Sequence, residues 1–319
     1  MFGLLQALRL DAVLRWRLKR LRAVPILNLH RVSPHANPFW TPLHPTHFEE
    51  LLVYLRRHFQ PVGLSSLQEL DTGDGRPGVV LSFDDGYHDF IEYAAPLLQK
   101  HQIRANLNVI PACVESGRPI WAVELVDFLN ASPAAVIRGI RLPGFSTTLE
   151  NESYDAKLRY GLALSLFLKS RPRAERMALW PELAARIDAT EFPRTRMLTR
   201  EDIRALSSEH DIGVHSYSHE SMGFESDAFF LDDLGRCEDF FRNSLDLPLD
   251  TYAFPNGSYR ASQIDALVER GFRSILLVEE RLARPGTASR GVVPRMTMSA
   301  ESGLEARYQL LDYRLRGVP

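Results

Sequence analysis

Two adjacent carboxylates close an apolar run in Leu81-Ser82-Phe83-Asp84-Asp85-Gly86, and two imidazoles lie far downstream in His215-Ser216-Tyr217-Ser218-His219. Together these residue types can hold one divalent metal and leave a carboxylate free to handle protons. Zn²⁺ takes mixed imidazole and carboxylate ligands, and three protein ligands with an open fourth position is its catalytic arrangement. Water bound there ionises near neutral pH. Adjacent side chains point in different directions, so one aspartate can face the metal while the other faces a substrate. Alone, the pair also fits a helix N-cap beside a solvated acid. Gly86 shifts the reading toward a site, because it lets the chain turn sharply after a strand and brings both carboxylates to the rim. His215 and His219 stand four residues apart, as helical zinc ligands do. Ser216 takes the place of the glutamate in an H-E-x-x-H motif, which argues against a zincin protease.

The elements that must position these groups can be read from short apolar runs separated by helical patterns. Strands are expected over 25–29, 79–83, 105–109, 211–214, 251–254 and 274–277. Helices are expected over 46–58, 90–101, 200–208, 230–245 and 261–270, with Thr199 capping one start and Gly271 ending another helix. Alternating strands and helices predict an α/β fold with a largely parallel sheet. His30, Asp84-Asp85, His215 and Pro255-Asn256 each follow a predicted strand. A (β/α) barrel collects its reactive groups in that way, and so does an open doubly wound sheet. Residues from about 113 to 198 break the rhythm and read as a helical insertion that shapes the mouth of the site.

With 319 residues and 45% apolar composition the chain can bury a large core, and a net charge of −2 gives no reason to expect nucleic acid as a partner. Cys113 and Cys237 are the only cysteines, so neither a disulfide framework nor a thiolate zinc site is supported. Arg9 and Asp11 interrupt the N-terminal apolar stretch, which argues against a signal peptide and for a cytoplasmic protein. Residues 1–22 read as a basic amphipathic helix. Leu4, Leu5, Leu8, Val13, Leu14, Leu18 and Leu21 recur at helical spacing, and six cations oppose a single acid, Asp11. Such a helix either makes peripheral contact with an anionic inner membrane face or packs on the domain with its cations snorkelling.

The motifs resemble a known family. Ser82-Phe83-Asp84-Asp85-Gly86, His215-Ser216-x-x-His219 and Ala253-Phe254-Pro255-Asn256-Gly257-Ser258-Tyr259 look like successive motifs of the NodB-like polysaccharide deacetylases, carbohydrate esterase family 4. The resemblance runs from about Val24 to Met296, so residues 23–319 would form one deacetylase domain. It implies a distorted, incomplete (β/α) barrel and hydrolysis of an acyl group from a sugar. Carried over by position, Asp84 would be the general base, and Asp85, His215 and His219 would be the ligands of one divalent metal. Zinc is the first expectation, with Co²⁺, Ni²⁺ or Fe²⁺ as substitutes. Pro255, Asn256, Gly257 and Tyr259 would lie near the substrate, with a backbone N–H of that segment meeting the developing oxyanion.

The sequence departs from the family pattern in two places. Many members place a catalytic histidine after a late strand, but no histidine follows His219, and the third motif lacks the usual arginine before its proline. His30, in Leu27-Asn28-Leu29-His30-Arg31-Val32, is similar to the Tyr-His-Arg-Val element of the poly-N-acetylglucosamine deacetylase branch, and the expectation is that it serves as the general acid. Arg295 would orient Asp84 or contact substrate, with a surface ion pair as the alternative. The leading expectation is a metal-dependent sugar N-deacetylase acting on a carbohydrate, either polysaccharide or a lipid-linked or nucleotide-linked precursor. Two rivals are a non-catalytic carbohydrate-binding protein and a metal phosphoesterase. The latter would need ligands for two metals, and the strand ends supply one cluster.

Overall fold

The computed structural model describes residues 10–35, 37, 39–70, 75–284 and 291–298. Among the described residues eight strands follow one another: β1 (Ile26–Leu29), β2 (Gln60–Pro61), β3 (Gly78–Phe83), β4 (Asn106–Val109), β5 (Asp211–Val214), β6 (Thr251–Ala253), β7 (Ser274–Val278) and β8 (Val292–Thr297). Every pairing among them is parallel. The sheet runs β1-β8-β7-β6-β5-β4-β3-β2, and an added β1–β3 pairing joins its two sides. Seven strands therefore form a closed ring, while β2 lies beside the start of β3, Gln60 opposite Gly78. The ring falls short of an eight-stranded barrel by one strand. Its thinnest joint is β5–β6, where Val214 and Tyr252 form the single paired position.

The strands read as largely apolar runs because helices cover the outside of the ring and side chains fill the inside, burying both faces. β1, β3 and β4 are buried at every position. All six expected strands are present. β8 escaped the sequence reading because Pro294 interrupts it; a proline in a run argues against a strand. β2 has two residues, too few to carry a pattern.

The helices are α1 (Leu10–Arg20), α2 (Pro45–His58), α3 (Ala95–Lys100), α4 (Pro111–Ser116), α5 (Trp121–Ala131), α6 (Ala134–Arg138), α7 (Tyr154–Lys169), α8 (Arg173–Asp188), α9 (Arg200–Leu206), α10 (Asp227–Phe240) and α11 (Ala261–Glu269). Local chemistry sets their ends. Thr199 and Asp202 form a capping box at the start of α9, and Ser153 and Ser226 cap α7 and α10. Gly271 follows α11 at φ +82°, a left-handed position that glycine adopts without strain.

Six helices, α4 to α9, stand between β4 and β5. Most of them share a separate apolar cluster that includes Leu125, Phe128, Tyr160, Leu164, Leu168 and Leu183. The first nine residues of the basic N-terminal segment lie outside the described residues. In the remainder, Leu18 is fully buried in the barrel's core cluster and Leu21 packs against it, whereas Trp16 is exposed beneath Arg20. Part of the apolar face of α1 is thus spent on the domain itself.

Candidate active site

The functional groups gather where the strands end. β1 leads into His30, β3 into Asp84 and Asp85, β5 into His215, and β6 into Phe254 and Asn256. They line a cavity of about 450 Å³, roofed by Ile120, Val123 and Val126 from the insertion and by Leu162, Ser165 and Lys169 of α7.

Backbone conformation separates the two aspartates. Asp85 has φ 77°, in the left-handed region, and Gly86 follows at φ 70°. An aspartate tolerates that conformation better than most side chains, at a cost of about 1 kcal/mol or more. A Cβ on Gly86 would meet Val109 Cγ1 at 3.3 Å, so the turn is packed closely against β4.

Asp84 is gripped from below. Its Oδ1 and Oδ2 accept from Nη1 and Nη2 of Arg295 at 2.7 and 2.8 Å, and Oδ1 also accepts from Asn108 Nδ2 at 2.8 Å. Arg295 Nη1 donates further to Asn28 Oδ1 and Ser82 Oγ, both at 3.0 Å. Ser82, Asn106 and Asn108 are hydrogen-bonded to one another, completing a buried polar layer inside the barrel. Burial alone would raise the Asp84 pKa, but the Arg295 charge, with His215 and the Arg295 hydrogen bonds behind it, outweighs burial and holds it far below the usual carboxylate range.

Asp85 has a different environment. Its Oδ1 is buried without a hydrogen bond and lies 3.6 Å from His215 Nε2 and 3.3 Å from His219 Nε2. His215 Nδ1 meets the carbonyl of Ala253 at 2.8 Å, which fixes the ring with Nε2 toward the aspartate. Burial lowers the His215 pKa to about 4 against the pull of Asp84, so the ring is neutral and its Nε2 lone pair is available. One carboxylate oxygen and two imidazole nitrogens lie within 4.8 Å of one another. An orphaned buried oxygen facing two oriented imidazoles is the donor set that a divalent ion satisfies, and the residues fit such an ion. The His215–His219 spacing is not helical: Ser216 and His219 have φ 56° and 60°, and the rings are brought together by a tight loop after β5.

His30 also lines the cavity, half-buried, with its ring edge-on to Trp40 at 5.0 Å. Arg31 does not compete for substrate, because its Nε binds Asp89 Oδ2 at 2.6 Å.

Other expectations need correction. Of the roles expected for Arg295, the one that orients Asp84 holds: the side chain is fully buried, its guanidinium is occupied by Asp84 and the polar layer, and it is neither a substrate contact nor a surface ion pair. Of the third-motif residues, Asn256 lines the cavity and Pro255, Gly257 and Tyr259 do not. Tyr259 instead donates to Glu279 at 2.7 Å. The amides of Phe254, Gly257 and Ser258 already donate to carbonyls and the Asn256 side chain donates to Ser221 Oγ at 2.9 Å, so the backbone N–H of Asn256, the cavity-lining residue of that motif, is the group placed to meet an oxyanion. Asn28, Asn106, Asn108 and Ser82 were missed. Their signal was a lone polar residue inside each of the apolar strands β1 and β3 and two at alternate positions of β4, which puts Asn106 and Asn108 on one face.

The fold is a seven-stranded parallel barrel with one candidate metal cluster at the carboxyl ends of its strands. Residues 182–275, which include both histidines, match the family model described as polysaccharide deacetylase. The chain is similar to a Streptococcus pyogenes deacetylase solved with acetate (15% identity, 91% of this chain and 98% of that one, TM-score 0.58). It is also similar to IcaB from Ammonifex degensii (18% identity, 91% and 97%, TM-score 0.56) and to a de-N-acetylase from Aggregatibacter actinomycetemcomitans (14% identity, 90% and 99%, TM-score 0.56). No curated protein matches. The matched segment covers under a third of the chain, and the likeness to these solved structures is one of fold.

Proposed function

We propose that the protein removes an N-acyl group, acetyl first among the candidates, from an amino sugar, with one divalent metal, zinc by preference, held by Asp85, His215 and His219. The observation that carries this reading is the division of labour between neighbouring aspartates. Asp84 is locked to Arg295 and stays ionised, whereas Asp85 offers an unbonded oxygen to two imidazoles. The metal, when bound, supplies Lewis acidity for the acyl carbonyl and acidifies the attacking water.

The chain's own residues do the rest. Asp84 Oδ2 takes one hydrogen bond from Arg295 and lies 3.8 Å from His215 Nε2, so its remaining lone pair faces the metal side and receives the proton of water. Asn256 meets the charge that develops on the acyl oxygen. His30 protonates the departing amine, the role that the absence of a later histidine leaves open. Trp40 holds its ring edge-on at the cavity wall.

The companion proposals are a cytoplasmic location and peripheral contact of residues 1–22 with the inner membrane face, which would suit a lipid-linked or nucleotide-linked glycan precursor. Equal membrane partition of the full chain and a chain lacking residues 1–22 would remove the contact.

Acetate release from N-acetylamino sugars by metal-reconstituted protein tests the activity. Asp84→Asn is expected to lower kcat at least about a hundredfold and His30→Ala by about ten- to a hundredfold. Full activity in Asp84→Asn would sink the mechanism. A non-catalytic sugar-binding protein would instead bind the panel and release nothing; an unbonded Asp85 oxygen beside an ionised Asp84 gives that reading no support.

A further inference from the structure

The wall that α7 contributes to the cavity ends in a cation without a partner. Lys169 lines the cavity and is also exposed, which places it at the mouth. Among the described residues it takes part in no hydrogen bond or ion pair. The other charged groups of the lining are already answered. Asp84 is paired with Arg295, Arg31 with Asp89, and Asp85 faces the two imidazoles.

Around Lys169 the rim is apolar. Leu162 lines the cavity at 50% exposure, and Leu166 is 69% exposed. Residues 162, 166 and 169 follow the i, i+4, i+7 spacing of one helix face. Behind them Phe39 packs so closely on the same helix that a Cβ at Gly161 would come within 2.4 Å of its ring. Two large exposed leucines and a free ammonium at a site entrance gain nothing from a neutral, fully hydroxylated glycan. They complement a molecule whose anion sits where its apolar part begins.

We propose that Lys169 reads a phosphate on the substrate and that the Leu162–Leu166 rim receives a lipid chain attached to it. The substrate class is then a lipid-linked glycosyl phosphate whose acylamino sugar enters the cavity. This deepens the deacetylase reading and rests on it. The phosphodiester stays intact. Water adds to the acyl carbon, the carbon–nitrogen bond breaks, and the products are the acylate and the free amine.

The test uses the full, metal-loaded chain on four N-acetylglucosamine compounds: a long-chain alkyl glycosyl phosphate, the glycosyl phosphate without a chain, the UDP sugar and a neutral chitooligosaccharide. The alkyl phosphate should show the lowest KM. Lys169→Ala should raise that KM about tenfold or more with kcat held, and should leave the neutral substrate unchanged. Lys169→Arg should retain most of the preference. Leu162→Ser with Leu166→Ser should raise KM for the alkyl compound alone. Equal effects of Lys169→Ala on charged and neutral substrates would show that Lys169 merely offsets the Asp85 charge, and would overturn the proposal. Preference for the UDP sugar over the alkyl phosphate would overturn the lipid assignment. Direct binding of the alkyl phosphate to native protein and Lys169→Ala, measured without turnover, decides the proposal even where none of the four compounds is hydrolysed, an outcome that counts against the deacetylase reading itself.

Discussion

Glu220, the neighbour of His219, is held by Arg176 of the insertion: both its carboxylate oxygens accept from Arg176 Nη2, at 2.7 and 2.6 Å, with both side chains buried. Arg173 approaches the same carboxylate at 3.3 Å. The helix α8 therefore anchors the loop that carries a proposed metal ligand. Arg176→Met should weaken metal affinity about ten- to a hundredfold, as loss of an outer support does. A chelator-competition titration reads this directly. Unchanged metal affinity would confine the pair to a packing role.

The Arg295–Asp84 pair makes a second prediction. Removing one partner of a buried ion pair leaves an uncompensated charge and costs about 3–5 kcal/mol. Arg295→Met should lower stability to denaturant accordingly. Arg295→Met combined with Asp84→Asn should recover much of that stability while hydrolysis stays absent. A single mutant as stable as the native chain would show that the pair is not clamped as the geometry indicates.

Metal removal gives a third. Chelation should abolish acetate release and divalent metal should restore it. Asp85→Asn keeps the shape of the side chain and tolerates the left-handed φ of 77°. It should fold normally and yet bind metal much more weakly, because a neutral amide is a poor substitute for a carboxylate ligand. Native-like metal stoichiometry in Asp85→Asn would reassign the ligand.

Stability against pH supplies a fourth. His210 is buried at the start of β5, edge-on to Phe90 at 5.2 Å, and its Nδ1 accepts from the amide of Ala105. Burial, reinforced by Arg104, lowers its pKa to about 4 from 6.5. The unfolded chain thus binds a proton that the folded chain refuses. The contribution is fully present above pH 6.5 and is lost as the pH falls toward 4, by about 3 kcal/mol at the extreme. Denaturant midpoints across that window should fall for the native chain and fall less for His210→Gln. Parallel curves would remove His210 as a cause.

Much of the barrel was legible because its strands are largely apolar and end in reactive groups. Thus 79–83 followed by Asp84-Asp85, and 211–214 followed by His215, could be read without coordinates. Asp85, His215 and His219 do converge as their types suggested. What failed was reach across the sheet. Arg295 was expected to orient Asp84 or to contact substrate, and it does grip Asp84, but its strand is disguised by Pro294 and nothing in its local sequence shows that it is buried beneath that carboxylate. The third motif misled for the opposite reason. Pro255, Gly257 and Tyr259 shape a turn in which the Gly257 amide and the Tyr259 hydroxyl are spent internally, so a matching motif did not make each member a wall of the cavity.

The ring closes between the first strand and the last, with Leu27 beside Met296 and the Asn28–Arg295 hydrogen bond spanning 267 positions of sequence. A nascent chain still on the ribosome can complete β1 to β7 and yet has no guanidinium for Asp84 until β8 emerges. Competence therefore arrives in one late step of synthesis, and a truncated chain that ends before β8 carries every metal ligand without the guanidinium that holds its base. Such long-range closure is slow to form, and it makes the intact C-terminal strand a condition for the site to exist at all.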